Sequence, residues 1–199
     1  MKKSTKSSVF SVLRIAGILV IITSVTAVLL AVINSFTAPV IEANTQKAKQ
    51  EAIFSIFEDA DRSEDISEAS RALFPKSVST LYAVYQGETL LGYVADVASM
   101  GFADNIGMMI GINASDNTVR GIRVMSIADT PGLGLKVAED SYLSTFVGRN
   151  EAGAADVISG ATYSSNGIIN ATNDVLELIA QITNGSSDTE QSEEVSTDA

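Results

Sequence analysis

Apolar residues change their spacing three times along this chain, and each change predicts a different kind of element. From Ile15 to Ile33 nineteen residues run without a charge, broken only by Thr23, Ser24 and Thr26. At 1.5 Å per residue that is roughly 28 Å of helix, close to the thickness of a bilayer's hydrocarbon. The three hydroxyls can bond back to carbonyls of their own helix, so they do not spoil a span. The run exceeds the apolar core of a cleaved signal peptide, typically about 7–15 residues. A retained membrane anchor over 15–37 is therefore expected, with Pro39 interrupting or closing the helix. Ala48, Ala52, Ile53, Ile56 and Phe57 then recur at helical spacing within Glu42 to Phe57.

After an acidic, polar stretch from Glu58 to Ser70, read as a loop, the pattern becomes that of strands. Ser79–Tyr85, Thr89–Val97, Ile106–Asn113 and Val119–Ile127 are rich in β-branched and aromatic residues. Gln86-Gly87-Glu88 and Ala114-Ser115-Asp116-Asn117 separate them as turns, so two antiparallel hairpins are expected. A helix from about Leu135 to Val147 comes next. The last apolar set, Ile168, Ile169, Val175, Leu176, Ile179 and Ile182, is again helical, with Ser164, Ser165 or Asn166 as its cap. Residues 184–199 are Ser, Thr, Glu and Asp-rich and are expected to be disordered. The fold class implied is α+β: one transmembrane helix, then a single domain over 38–183 with an antiparallel sheet and flanking helices.

Charge sharpens this division. Of 13 Lys and Arg, four stand at Lys2, Lys3, Lys6 and Arg14, leaving nine against 24 Asp and Glu, a net of −15. Such a domain is a poor partner for nucleic acid or anionic lipid. The basic residues before the span put residues 1–14 in the cytoplasm and the domain outside it, at the cell membrane, by the positive-inside rule. The chain has no Cys and no His. Disulfides, cysteine-held clusters, histidine-ligated haem, the common zinc sites and Ser-His or Cys-His nucleophiles are thereby excluded. A redox role would fall to an organic cofactor.

Two short segments carry the candidate chemistry. In Asp156-Val157-Ile158-Ser159-Gly160-Ala161-Thr162, Gly160 and Ala161 leave room for close backbone approach, and Thr162 offers a hydroxyl able to form a phosphoester. A helix starting just beyond would present free N–H groups and a positive dipole end to a phosphate, with Ser164 and Ser165 as further donors. By residue type alone such a segment is more often merely a turn and cap. In Asp129-Thr130-Pro131-Gly132-Leu133-Gly134, proline fixes φ and the glycines free it. Such a loop can present N–H groups to the polar edge of a flat ring, or simply connect a strand to the next element. Val137 breaks the Gly-x-Gly-x-x-Gly pattern that begins at Gly132, so a dinucleotide fold is not supported.

The first segment resembles the Asp-x-x-(Ser/Thr)-Gly-Ala-Thr motif on which a flavin transferase esterifies FMN. The second resembles a Glu-Thr-Pro-Gly-Leu-Gly loop of the same family. In this order behind one anchor, they resemble the RnfG component of the Rnf electron-transport complex. The NqrC component of the Na+-translocating NADH:quinone reductase is the nearest relative. The resemblance implies covalent FMN on Thr162, with Asp156, Ser159, Gly160 and Ala161 as the attachment motif. It further implies that Thr130, Pro131, Gly132, Leu133, Gly134 and Lys136 line the flavin, the lysine favouring the anionic reduced form. The other Rnf subunits are the implied partners, in an assembly coupling electron flow between ferredoxin and NAD to ion movement. The chain would then relay electrons with no acid or base among its side chains. The quinone-reductase component, a stand-alone flavin carrier and a cofactor-free anchored module are the alternatives. Two departures bear on the site: Asp129 stands where the family usually has Glu, and Gly101-Phe102-Ala103-Asp104 where it often has Gly-Tyr-Gly-Gly. The shorter acid is expected to lose a contact.

Overall fold

A computed structural model describes residues 4–151 and 155–193, with side chains over 12–151 and 155–184. Helix α1 runs over Ser4–Ile56. The chain forms two compact units, residues 1–47 and 48–199.

In the first unit every described side chain is exposed, including the apolar run from Ile15 to Ile33. The helix is long and apolar enough to cross a membrane, with a mean hydropathy of 2.7 in its most apolar 18-residue window. The Thr23 and Thr26 hydroxyls donate to the carbonyls of Leu19 and Ile22 at 3.0 and 2.9 Å, as a hydroxyl in an apolar medium must. Pro39 does not end the helix, contrary to expectation. A proline there removes one N–H and leaves the carbonyl four residues back without its donor. Neighbouring hydroxyls add bonds in the same turns: Ser35 donates to Val32 and Thr37 to Ile33, at 2.8 and 2.9 Å. These bonds fall on carbonyls near the one freed at Ser35 rather than on it, and proline is tolerated within membrane helices.

In the second unit, among the described residues, five strands form one antiparallel sheet in sequence order: β1 (Arg62–Asp65), β2 (Val78–Gln86), β3 (Thr89–Met100), β4 (Asn105–Asn113) and β5 (Val119–Ser126). The two expected hairpins are present and pair with each other through β3 and β4. Part of the segment read as a loop is strand β1 and a short helix α2 (Ser67–Ser70). The polar, mostly exposed pattern of β1 gives no periodicity to read, because it is an edge strand whose side chains are largely solvated.

Both faces of the sheet are covered. Successive residues of a strand point to opposite sides, and Met108, Met109 and Ile110 of β4 are all fully buried. Met109, with Val84 and Val94, packs against Ile53, Ile56 and Phe57 at the end of α1. Met108 and Ile110 face the larger core, which includes Ile168, Val175 and Ile179 of α4 (Thr162–Glu193). A Cβ at Gly111 would collide with Ile56 and lie 3.0 Å from the Phe57 ring, so the end of α1 reaches the sheet through that gap.

The helix expected over Leu135–Val147 is instead a 3-10 turn (Gly134–Ala138), a short helix α3 (Asp140–Leu143) and a second 3-10 turn (Ser144–Phe146). The buried residues explain the break. Val137 lies five positions before Tyr142, a separation that points to opposite sides of one regular helix, yet both are buried in the same core. Extended backbone at Glu139 restores the alignment. Helix α4 begins at Thr162, two residues before the earliest of the expected caps, and its backbone stays helical to Glu193, beyond the expected end of the ordered domain. The remaining tail lies outside the described residues.

Gly111→Val should destabilise the domain by about 1–3 kcal/mol through overpacking against Ile56 and Phe57, read as a lower thermal midpoint of the detergent-solubilised chain. Gly17→Val, where a side chain would meet nothing, should leave that transition in place.

Candidate functional site

The two motifs, some thirty residues apart in sequence, meet around one cavity of about 460 Å³. Thr130, Leu133 and Gly134 form one side. Gly160, Ala161, Thr162, Tyr163 and Ser164 form another, and Phe102 closes the ring. The volume suits a cofactor-sized ligand, for which about 300–1,000 Å³ is usual. The wall is mostly apolar, with hydroxyls from Thr130, Thr162 and Ser164.

Local backbone explains why these residue types stand here. Gly132 and Gly160 hold φ of +78° and +84°, in the left-handed region that side-chain-bearing residues avoid. At Gly160 a Cβ would also come within 3.2 Å of Leu133, narrowing the space between the motifs. The Gly160 turn is followed by the Ala161 amide donating to Ile158 at 2.9 Å, and by the first regular bond of α4, from Ser165 to Ala161, at 2.9 Å. The amides of Thr162, Tyr163 and Ser164 therefore precede the helical ladder and form its donor end. Thr162 is exposed at that end, its hydroxyl beside the cavity.

A buried carboxylate ties the walls together. Asp129, only 6% exposed, accepts the Phe102 and Ala103 amides on Oδ1 at 3.0 and 2.9 Å. Its Oδ2 accepts the Ser164 hydroxyl in a short hydrogen bond. The shorter acid holds three partners here. Gly134 packs against the same side chain, where a Cβ would lie 2.5 Å from that of Asp129. Gly101 is required too, since a Cβ there would sit 2.7 Å from the Asp104 carbonyl and 3.1 Å from Asp129. Gly167 lets α4 approach the end of β3, as a Cβ would fall 2.5 Å from the Met100 carbonyl.

The remaining predicted residues sit differently. Ser165 is buried behind the wall, its hydroxyl accepting the Ile158 amide at 3.1 Å. As buried members of the first turn, Ser164 and Ser165 support the site rather than cap the helix. Pro131 and Gly132 are exposed on the loop away from the lining, and Asp156 and Ser159 lie exposed on the approach to Gly160. Lys136 is exposed and does not line the cavity, and among the described residues no Lys or Arg does. Two further contributors are aromatic: Phe102, in the 101–104 segment that the sequence singled out only for its backbone, and Tyr163, which carried no signal. Both are 69% exposed, with ring centroids 6.2 Å apart. Their exposure is the anomaly that marks them, and periodicity cannot report it.

Comparison with known proteins agrees with this geometry. Residues 101–177 match the FMN-binding domain family, a span that contains every residue lining the cavity. Residues 1–56 match the RnfG N-terminal region. The chain thus carries an RnfG N-terminal region and, behind it, an FMN-binding domain. It is 26% identical over 171 residues to the G subunit of the ion-translocating oxidoreductase complex of Methanosarcina acetivorans, covering 81% of this chain and 91% of that one. It is 28% identical over 169 residues to the G subunit of the Na(+)-translocating ferredoxin:NAD(+) oxidoreductase complex of Acetobacterium woodii, covering 80% and 81%. A crystal structure of Shewanella oneidensis NqrC aligns over 53% of this chain and 63% of that one, at 20% identity and a TM-score of 0.43.

The site residues fit an FMN. The small-residue turn admits a phosphate at the helix end, and the apolar wall suits a flat ring. Asp129→Ala should cost about 3 kcal/mol, because it leaves two amides and a buried hydroxyl without an acceptor. Asp129→Asn, which keeps the acceptor for both amides, should cost less than half as much, measured by thermal unfolding of the two variants side by side.

Proposed function

We propose that this chain is the membrane-anchored RnfG component of an Rnf-type complex and carries FMN as a phosphoester on Thr162. One observation carries the reading: the two motifs close around a single cavity with the Thr162 hydroxyl exposed at its edge. The FMN-binding match over 101–177 and the relatives named as complex subunits support it.

Each residue has a task in this reading. Thr162 Oγ1 bonds to the flavin phosphorus of a flavin dinucleotide brought by a flavin transferase and loses its proton, as the pyrophosphate P–O bond breaks and the other half leaves as a nucleoside monophosphate. The exposed Asp156 and Ser159 present the motif to that enzyme. The free amides at the start of α4 meet the residual phosphate charge, which no basic side chain in the lining would offset. Leu133 and Phe102 offer apolar surface to the ring, and Gly134 allows the loop to approach it. Bound FMN supplies one- and two-electron transfer; the chain holds it, keeps part of it from water and presents it to neighbouring carriers. The covalent link retains the cofactor where free FMN would be diluted away.

The anchor over 15–37 contacts the bilayer. The basic residues before it support a cytoplasmic N-terminus and a domain outside the cytoplasmic membrane.

Co-expressed with a flavin transferase, the wild-type chain should gain the mass of FMN less one water after denaturation, and Thr162→Ala should gain none while melting normally. Equal labelling of both would move the attachment elsewhere; no labelling of either, with an active transferase, would remove the proposal. For topology, protease added to intact spheroplasts should digest the domain, whereas protection until the membrane is opened would place it inside.

A further inference from the structure

The sign of the fixed charge beside the cavity is opposite to that expected from the sequence. Lys136 is exposed and absent from the lining. Directly behind three lining residues stands Asp129. Its carboxylate takes the Phe102 amide and the Ser164 hydroxyl, and its side chain packs on Gly134. At 6% exposure it is shielded from the solvent that damps a surface charge.

Its hydrogen bonds hold it there in one orientation. Oδ1 is fixed by two successive amides of one loop and Oδ2 by a hydroxyl in the first turn of another element. A purely mechanical tie between these elements needs acceptors but no net charge, and an amide or hydroxyl side chain would supply them. The chain instead keeps an acid at this position.

We propose that Asp129 is a positioning residue that sets the redox potential of the cavity's cofactor, holding it lower than a neutral wall would. The inference rests on the cavity being the FMN site. An electron that reaches a flavin without a proton adds one negative charge to the ring, and a like charge fixed behind the wall disfavours that state. Oxidised flavin, with a neutral ring, is spared the penalty. Asp129 thereby makes the reduced cofactor a stronger donor to the next carrier, and it does so without touching the ring.

The test is spectroelectrochemical titration of the flavin-loaded, detergent-solubilised full chain. Asp129→Asn removes the charge and keeps the acceptor for both amides. Its ratio of reduced to oxidised flavin at fixed potential should rise about tenfold, a positive shift of ~59 mV for a one-electron step. Asp129→Glu restores the charge on a longer arm and should return most of the way to wild type. Asp129→Ser is a second neutral variant and should shift in the same direction as Asn. An unchanged potential in loaded, folded Asn or Ser variants overturns the inference, as does a Glu variant that behaves like Asn. If both neutral variants fail to fold, the carboxylate is a structural tie alone and the inference fails as well. A wild-type chain that takes up no flavin would instead refute the assignment of the cavity, and so the function on which this inference depends.

Discussion

A carboxylate taken out of water is costly unless its oxygens are met by donors held in the right places. Asp129 meets that condition by recruiting from two separate parts of the chain, the amides of Phe102 and Ala103 and the hydroxyl of Ser164. Neither part could be displaced without leaving the charge uncompensated. The loop after β3, the loop after β5 and the first turn of α4 are therefore held together. The cavity is the space those three leave between them, so its shape depends on this one side chain more than on the lining residues themselves.

The glycines show how tightly the same arrangement is drawn. Gly101 and Gly134 allow backbone to close on the Asp129 carboxylate, and Gly167 lets α4 settle against the end of β3. On the other face of the sheet, Gly111 admits Ile56 and Phe57. In each case a missing Cβ converts possible collision into contact. The sheet is consequently packed on both sides, and β4 is buried along most of its length. A rigid platform of this kind suits a site built on loops, because the loops need only be positioned at their ends.

Electrostatics divides the labour at the site. The start of α4 offers partial positive charge in the form of unpaired amides, without any basic side chain in the lining. Asp129 contributes a full negative charge from behind. An anionic phosphate and a ring whose charge varies with oxidation state would thus experience fields of different sign a short distance apart. In the proposed function, separating attachment from tuning in this way would let one small domain hold a cofactor firmly while keeping it reducible at low potential.

Composition and periodicity alone established a good deal. An uncharged run of nineteen residues fits a helix long enough to cross a bilayer, so the long apolar helix was legible at once. Strands β2 to β5 and the buried face of α4 were legible because burial on a regular element imposes a period on the sequence. The turn at Gly160-Ala161-Thr162, the proposed attachment site, was legible as a motif, since a small-residue turn before a helix is a local feature. What stayed hidden depends on partners distant in sequence. Strand β1 is polar and owes its conformation to β2; the 137–146 segment breaks its helix to bury both Val137 and Tyr142; Pro39 is tolerated inside α1. The roles of Asp129, Phe102 and Lys136 follow the same logic. Whether a charge is buried behind a cavity or lost in solvent is set by which loops fold over it, and no local pattern of residues carries that information.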